Sequence, residues 1–226
     1  MTDVLVRVQR SDGGVQTARL TAADPAMSVS DSSTSLGVSR SYLGLGIEHI
    51  LLGIDHLLFV LGLLLIVRNA WLLVKTIAAF TVAHSLTLAA ATLGWVRVAQ
   101  APVEAVIALG ILFLASELAK QRHGQIGLME RYPWVVAFIF GLLHGLGFAG
   151  ALRKVGIPER DIPLALLTFN VGVEIGQLLF IGAVLVFIAA LRRLRVSWPA
   201  WTDMISPYVI GSVAAFWSIQ RVASFV

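Results

Sequence analysis

The chain has no cysteine and little charge: 17 Lys and Arg with 13 Asp and Glu make up 13% of its 226 residues. Without cysteine there are no disulfides, no thiolate metal centres and no cysteine nucleophile, and the redox compartment is left open. The shortage of charge excludes more. A soluble domain keeps roughly a quarter of its residues charged to hold its surface in water. Here 58% are hydrophobic and the mean hydropathy is +0.85. Methionine is scarce too, with Met1 and Met27 in the tail, Met129 in a loop and Met204 at a helix start, a poor basis for a thioether path for Cu(I). The formal charge of +4 gathers on no soluble face. Its basic residues punctuate apolar runs, as topology signals do, and leave no nucleic-acid footprint.

What is present is a series of apolar runs. The expected fold is an all-α integral membrane protein, a bundle of six transmembrane helices (42–226) behind a short extramembrane tail (1–41). The spans are expected at 42–67, 71–93, 102–119, 134–152, 162–191 and 205–224. Each suits about 30 Å of hydrocarbon, which takes about 20 helical residues. Pro102, Pro163 and Pro207 fall near helix starts, where a missing N–H is harmless. Trp71, Trp95, Trp134, Trp198 and Trp201 mark helix ends as an aromatic belt would. In the tail, the weak alternation of Val4 to Val8, the turn signal Asp12-Gly13-Gly14 and the segment from Val15 to Leu20 predict a β-hairpin. It reads as the remnant of a β-rich extracytoplasmic domain. A Ser-rich linker over 28–41 leads into the membrane, and no cleavable signal peptide is visible in the polar first 40 residues.

Loop charge gives an orientation. The first, third and fifth connections carry eight basic residues, from Arg68 to Arg195; the second and fourth carry four, Arg97, Arg153, Lys154 and Arg160. The bias places both termini outside a bacterial-type inner membrane, although Arg40 and Arg221 pull the other way.

An ionisable side chain at bilayer depth costs a few kcal/mol, so each needs a partner or a task. The first span holds Glu48-His49 and Asp55-His56. Seven residues return to nearly the same helical angle, so Glu48 and Asp55 share one stripe while His49 and His56 share another. Along an unbroken helix the two histidines stand about 10 Å apart at 1.5 Å per residue. They can share an ion only if the helix is kinked or unwound near Gly53, so two separate levels of ligands are expected, completed by other helices. The second span offers Thr81, His84 and Ser85. The fourth offers His144 between Gly141 and Gly145, and the fifth Asn170, Glu174 and Gln177 on one face. Gly141, Gly145, Gly147 and Gly150 let another helix approach closely. Gln177 and Thr81 read as structural, Glu104 and Glu117 as interfacial, and His123 as a solvated loop residue.

Four histidines with carboxylates on several spans point to a shared divalent transition metal, Ni, Co, Zn, Fe or Cu, because neutral imidazole with carboxylate suits all of these. Two functions follow from such a site. A permease passes the ion through; a membrane-embedded metalloenzyme, Zn or Fe hydrolase-like, holds it to activate water with Glu174 as base. Bis-histidine haem ligation is a third reading, though carboxylates are poor neighbours for a porphyrin edge. The expected partners are the bilayer, the metal ion and further copies of the chain in a homo-oligomer.

Four segments together resemble the HupE/UreJ family, in particular its longer branch with an extracytoplasmic N-terminal domain. They are Gly46-Ile47-Glu48-His49-Ile50-Leu51-Leu52-Gly53-Ile54-Asp55-His56-Leu57-Leu58-Phe59, Phe80-Thr81-Val82-Ala83-His84-Ser85-Leu86-Thr87, Phe140-Gly141-Leu142-Leu143-His144-Gly145-Leu146-Gly147-Phe148-Ala149 and Phe169-Asn170-Val171-Gly172-Val173-Glu174-Ile175-Gly176-Gln177. The resemblance implies a secondary nickel permease whose His-x5-Asp-His signature falls on His49, Asp55 and His56 as metal ligands. Ile50 stands where the short members have proline, and their second motif is reduced here to His144.

Overall fold

The computed structural model describes residues 4–9, 15–20, 35–155, 161–193 and 199–225. Strands β1 (Val4–Gln9) and β2 (Val15–Leu20) pair antiparallel, Val4 opposite Leu20 and Gln9 opposite Val15, as the alternation predicts. The Asp12-Gly13-Gly14 turn lies outside the described residues, as does the linker up to 34. The rest of that linker is helical, because α1 (Ser35–Leu52) begins well before Tyr42.

Helix α2 (Ile54–Ile66) follows α1 after the single residue Gly53, and the two axes are bent by 73°. Next come α3 (Ala70–Thr92), α4 (Gln100–Arg122), the short α5 (Leu128–Arg131), α6 (Pro133–Val155) and α7 (Ile162–Arg193). A 3-10 turn (Ala200–Met204) leads into α8 (Ile205–Ala223). The boundaries have local causes. The Asn69 side chain accepts the Leu72 N–H at 2.9 Å and caps α3. Gly94 and Gly124, at φ +79° and +75°, end α3 and α4 in the left-handed region that favours glycine.

Among the described residues, α3, α4 and α7 are long and apolar enough to cross a membrane, and the bent α1–α2 pair is apolar enough to be a broken span or a re-entrant loop. The surface distribution is inverted relative to a soluble protein. Leu86, Leu167, Val186, Phe187, Phe216 and Ile219 face outward, while His56, His84, His144, Asn170 and Gln177 are buried. Trp71, Trp95, Trp134 and Trp201 are exposed at helix ends.

Helices pack in pairs, α1 on α7, α3 on α6 and α4 on α8, with α2 against α4 and α7. Glycine makes the first two pairs possible. A Cβ on Gly46 would run into the Phe169 carbonyl, and one on Gly172 into that of Leu43; Gly141 and Gly145 stand likewise against the carbonyls of Phe80 and His84. Between α3 and α6 these contacts advance together along both helices, and between α1 and α7 the contact of Gly176 with Ile47 and Ile50 lies further along both, so each pair runs parallel. The α4–α8 pair runs antiparallel, Gly211 lying beside Ala115 and Arg221 beside Glu104. The connection between α4 and α6 is folded rather than loose, which corrects the expectation that Met129 lies in a loop. Met129 lies in α5 and is fully buried, and Glu117 is also buried. Its carboxylate accepts from Lys120 Nζ at 2.8 Å and from the Met129 N–H at 3.1 Å, fastening α5 to α4.

Backbone contact at Gly141 leaves no room for a methyl group. Gly141→Ala is expected to destabilise by about 1–3 kcal/mol, whereas Gly182→Ala, with open space around it, should be neutral or slightly stabilising. Thermal unfolding in detergent tests the contrast, and equal midpoints for the two variants would count against this packing.

Candidate metal centre

The break at Gly53 builds the site. Gly53 is extended (φ −78°, ψ 95°), and an added Cβ would stand 2.7 Å from both the His49 carbonyl oxygen and His56 Nδ1. The close approach of these groups therefore requires glycine. Past the break, α2 opens with N–H groups that have no partner in their own helix. Asp55 Oδ1 accepts the His56 N–H at 2.9 Å, and the positive end of the helix favours its carboxylate.

The bend folds His49 back over His56, their ring centroids 4.6 Å apart. The expectation of two ligand levels, drawn from an unbroken helix, is corrected: the rings meet at one. From α6, His144 comes within 4.6 Å of His56, and from α3, His84 lies 6.0 Å from His49 and 6.3 Å from His56. Asp55, His56 and His144 can each turn one ligand atom so that all three lie within 4.8 Å of one another. A tetrahedral ion at about 2.1 Å sets its ligands about 3.4 Å apart.

Two hydrogen bonds fix which nitrogen faces the cavity. His144 Nδ1 lies 2.8 Å from the Phe140 carbonyl oxygen, which can only accept, so Nδ1 carries the proton. His56 Nδ1 lies 3.0 Å from Asp55 Oδ1 and donates in the same way. With Nδ1 taken by its outer partner, each ring leaves Nε2 for the cavity, and neither Nε2 has a hydrogen-bond partner among the described residues. This is how a metal-binding imidazole is held by its outer partner. Phenyl rings close the space behind. Phe59 stacks on Phe140 at 4.9 Å, and Phe80 lies edge-on to His144 at 5.2 Å.

A cavity of about 160 Å³ opens on this cluster, lined by His49, Asp55, His56 and His144 together with Glu104 and Arg221. Glu104, expected at the interface, is thus part of the site. Arg221, counted above as a topology signal, belongs to it as well; an arginine within an apolar span calls for a carboxylate partner. The other candidates lie elsewhere. Glu48 is exposed on α1, since the break ends the stripe it was expected to share with Asp55. His84 is fully buried behind the cavity, and neither of its ring nitrogens has a hydrogen-bond partner among the described residues. Asn170 is buried and donates from Nδ2 to the Leu166 carbonyl at 2.7 Å; Glu174, one turn on, is half-buried. Neither lines the cavity. Gln177 accepts from the Thr81 hydroxyl at 3.2 Å, so both are structural as expected.

The chain matches the family described as HupE / UreJ protein over residues 26–221. It belongs to the HupE/UreJ family. No curated protein and no solved structure matches it. With family membership and its apolar helices, this HupE/UreJ member is a multi-pass helical membrane protein carrying a His/Asp group suited to a metal ion.

Asp55→Asn should weaken divalent-metal binding by about 10–100-fold, the usual cost of losing a histidine's carboxylate partner. Glu48→Gln should leave binding unchanged. Equilibrium binding to the detergent-purified protein reads both, and a wild-type affinity for Asp55→Asn contradicts the assignment.

Proposed function

We propose that this protein is a permease for a divalent transition metal of the nickel type, with the ion as its cargo. The observation that carries this reading is the meeting of His49, Asp55 and His56 with His144 on one cavity at the break in the first span. Non-helical backbone at membrane depth is tolerated where it lines a cavity. It also places ligands from both sides of the break on a single ion. A conducting site must bind well enough to load and loosely enough to release. Ligand atoms spread over 4.8 Å on separate helices suit that demand better than a closed cage. The metals compatible with the donors are Ni, Co, Zn, Fe and Cu.

The reading takes six crossings. Alongside the broken pair and α3, α4 and α7, the 23 residues of α6 and the 19 of α8 are of membrane-spanning length, at 1.5 Å per residue. The first packs on α3, of equal length, and the second on the longer α4. With Arg221 turned inward, the loop bias that places both termini outside a bacterial inner membrane loses one of its two opposing charges. The ion then meets the cavity and is held by His56, Asp55 and His144 with His49 beside them.

Proteoliposomes containing the wild-type protein should accumulate labelled Ni²⁺, and His56→Ala should reduce the initial rate at least about tenfold, the scale of losing a metal ligand. Undiminished uptake by that variant would sink the proposal. Purified protein should give up its metal on dialysis against a chelator-free buffer. Stoichiometric retained zinc or iron would point instead to an enzyme.

A further inference from the structure

We infer that the Arg221 guanidinium is the resident cation of the metal site, offsetting one of its two carboxylate charges while no metal is bound and withdrawing when a divalent ion takes its place. This rests on the permease reading and adds to it a residue that sets how tightly the cargo is held.

Arg221 reaches the cavity from the last turns of α8. Its Nη2 lies 3.9 Å from Asp55 Oδ2, and its Nε lies 3.7 Å from Glu104 Oε2. Both pairs are long for charge-assisted hydrogen bonds, which run at about 2.7–2.9 Å. The short bond goes elsewhere: Nη1 donates to the Glu104 backbone carbonyl at 2.9 Å. The guanidinium also lies over the Trp217 ring, 5.6 Å from its centre. Arg221 is therefore anchored by a backbone acceptor and an aromatic face, neither of which a metal would claim. Its two carboxylate contacts are the loose ones, and one of them is to Asp55, which belongs to the metal-binding trio.

Charge balance gives the same answer. The ionised groups lining the cavity are Asp55, Glu104 and Arg221, two negative charges against one positive. A divalent ion added to all three leaves one positive charge in excess at bilayer depth. The same ion with Arg221 withdrawn leaves the group neutral. Arg221 at Asp55 also repels the arriving ion, most strongly in surroundings of low dielectric constant. Loading the metal and freeing the guanidinium are thus one exchange, and the returning guanidinium helps expel the metal.

The test compares equilibrium Ni²⁺ binding to detergent-purified wild type, Arg221→Gln and Arg221→Lys. Arg221→Gln should bind Ni²⁺ at least about tenfold more tightly, yet carry it into proteoliposomes more slowly, since release loses its competitor. Arg221→Lys should stay close to wild type in both. A merely structural arginine predicts the reverse, weaker binding in the glutamine variant, and that result or an unchanged affinity overturns the inference. Should Arg221→Gln fail to fold, Zn²⁺ titration of the wild type serves in its place. Its tryptophan emission should shift as the guanidinium draws away from Asp55 and moves over Trp217, and the shift should vanish in Trp217→Phe. No shift, or one that persists in that variant, overturns the inference. A wild type that binds no Ni²⁺ or Zn²⁺ at all brings down the permease reading itself; a wild type that binds while Arg221→Gln binds no tighter brings down only the role of Arg221.

Discussion

Everything at the centre of this molecule depends on one close approach, that of His49 and His56 across Gly53. Seven residues of helix would hold the two rings about 10 Å apart; the 73° bend brings their centroids to 4.6 Å. The bend creates two helix ends inside the bundle, and their unpaired backbone groups need partners in surroundings that offer little water. Asp55 meets part of that need by accepting the His56 N–H, and the same oxygen orients the His56 ring. One carboxylate thus serves the fold and the site together.

The packing around this point divides the labour. The parallel pairs α1–α7 and α3–α6 are joined backbone to backbone through Gly46, Gly172, Gly141 and Gly145, an approach that leaves no space for adjustment. They carry His49, His84 and His144 at fixed positions. Helices α2, α4 and α8 meet through side chains instead: Gln121 donating to the Ile66 carbonyl, Arg221 beside Glu104 and Asp55, and Gly211 only in ordinary contact with Ala115. Of the cavity's ionised groups, each sits on one of these three adjustable helices.

Much of this was legible in the sequence. The apolar runs located the helices, alternation located the hairpin, and the cost of ionisable groups in lipid singled out His49, Asp55, His56 and His144. The condition for a shared ion, a break near Gly53, could be stated but not decided, since a glycine inside an apolar run is as often a packing contact as a break. Glu48 was misplaced for the same reason, because helical phase means nothing across a discontinuity. Arg221 and Glu104 escaped because charges near helix ends read as interfacial by default. Only the pairing of α4 with α8, a contact 117 residues apart in sequence, turns both into the cavity. The burial of Glu117 is likewise invisible until α5 folds back to present the Met129 N–H.

The order in which the chain is made gives this arrangement a further consequence. Asp55 and His56 leave the ribosome with α1 and α2, long before His144, Glu104 or Arg221 exist to meet them. Until α8 docks, the nascent protein carries an unbalanced acid in the bilayer, held only by its own helix end. The counter-charge to Asp55 and Glu104 thus arrives only with the last helix, which ties completion of the site to completion of the bundle.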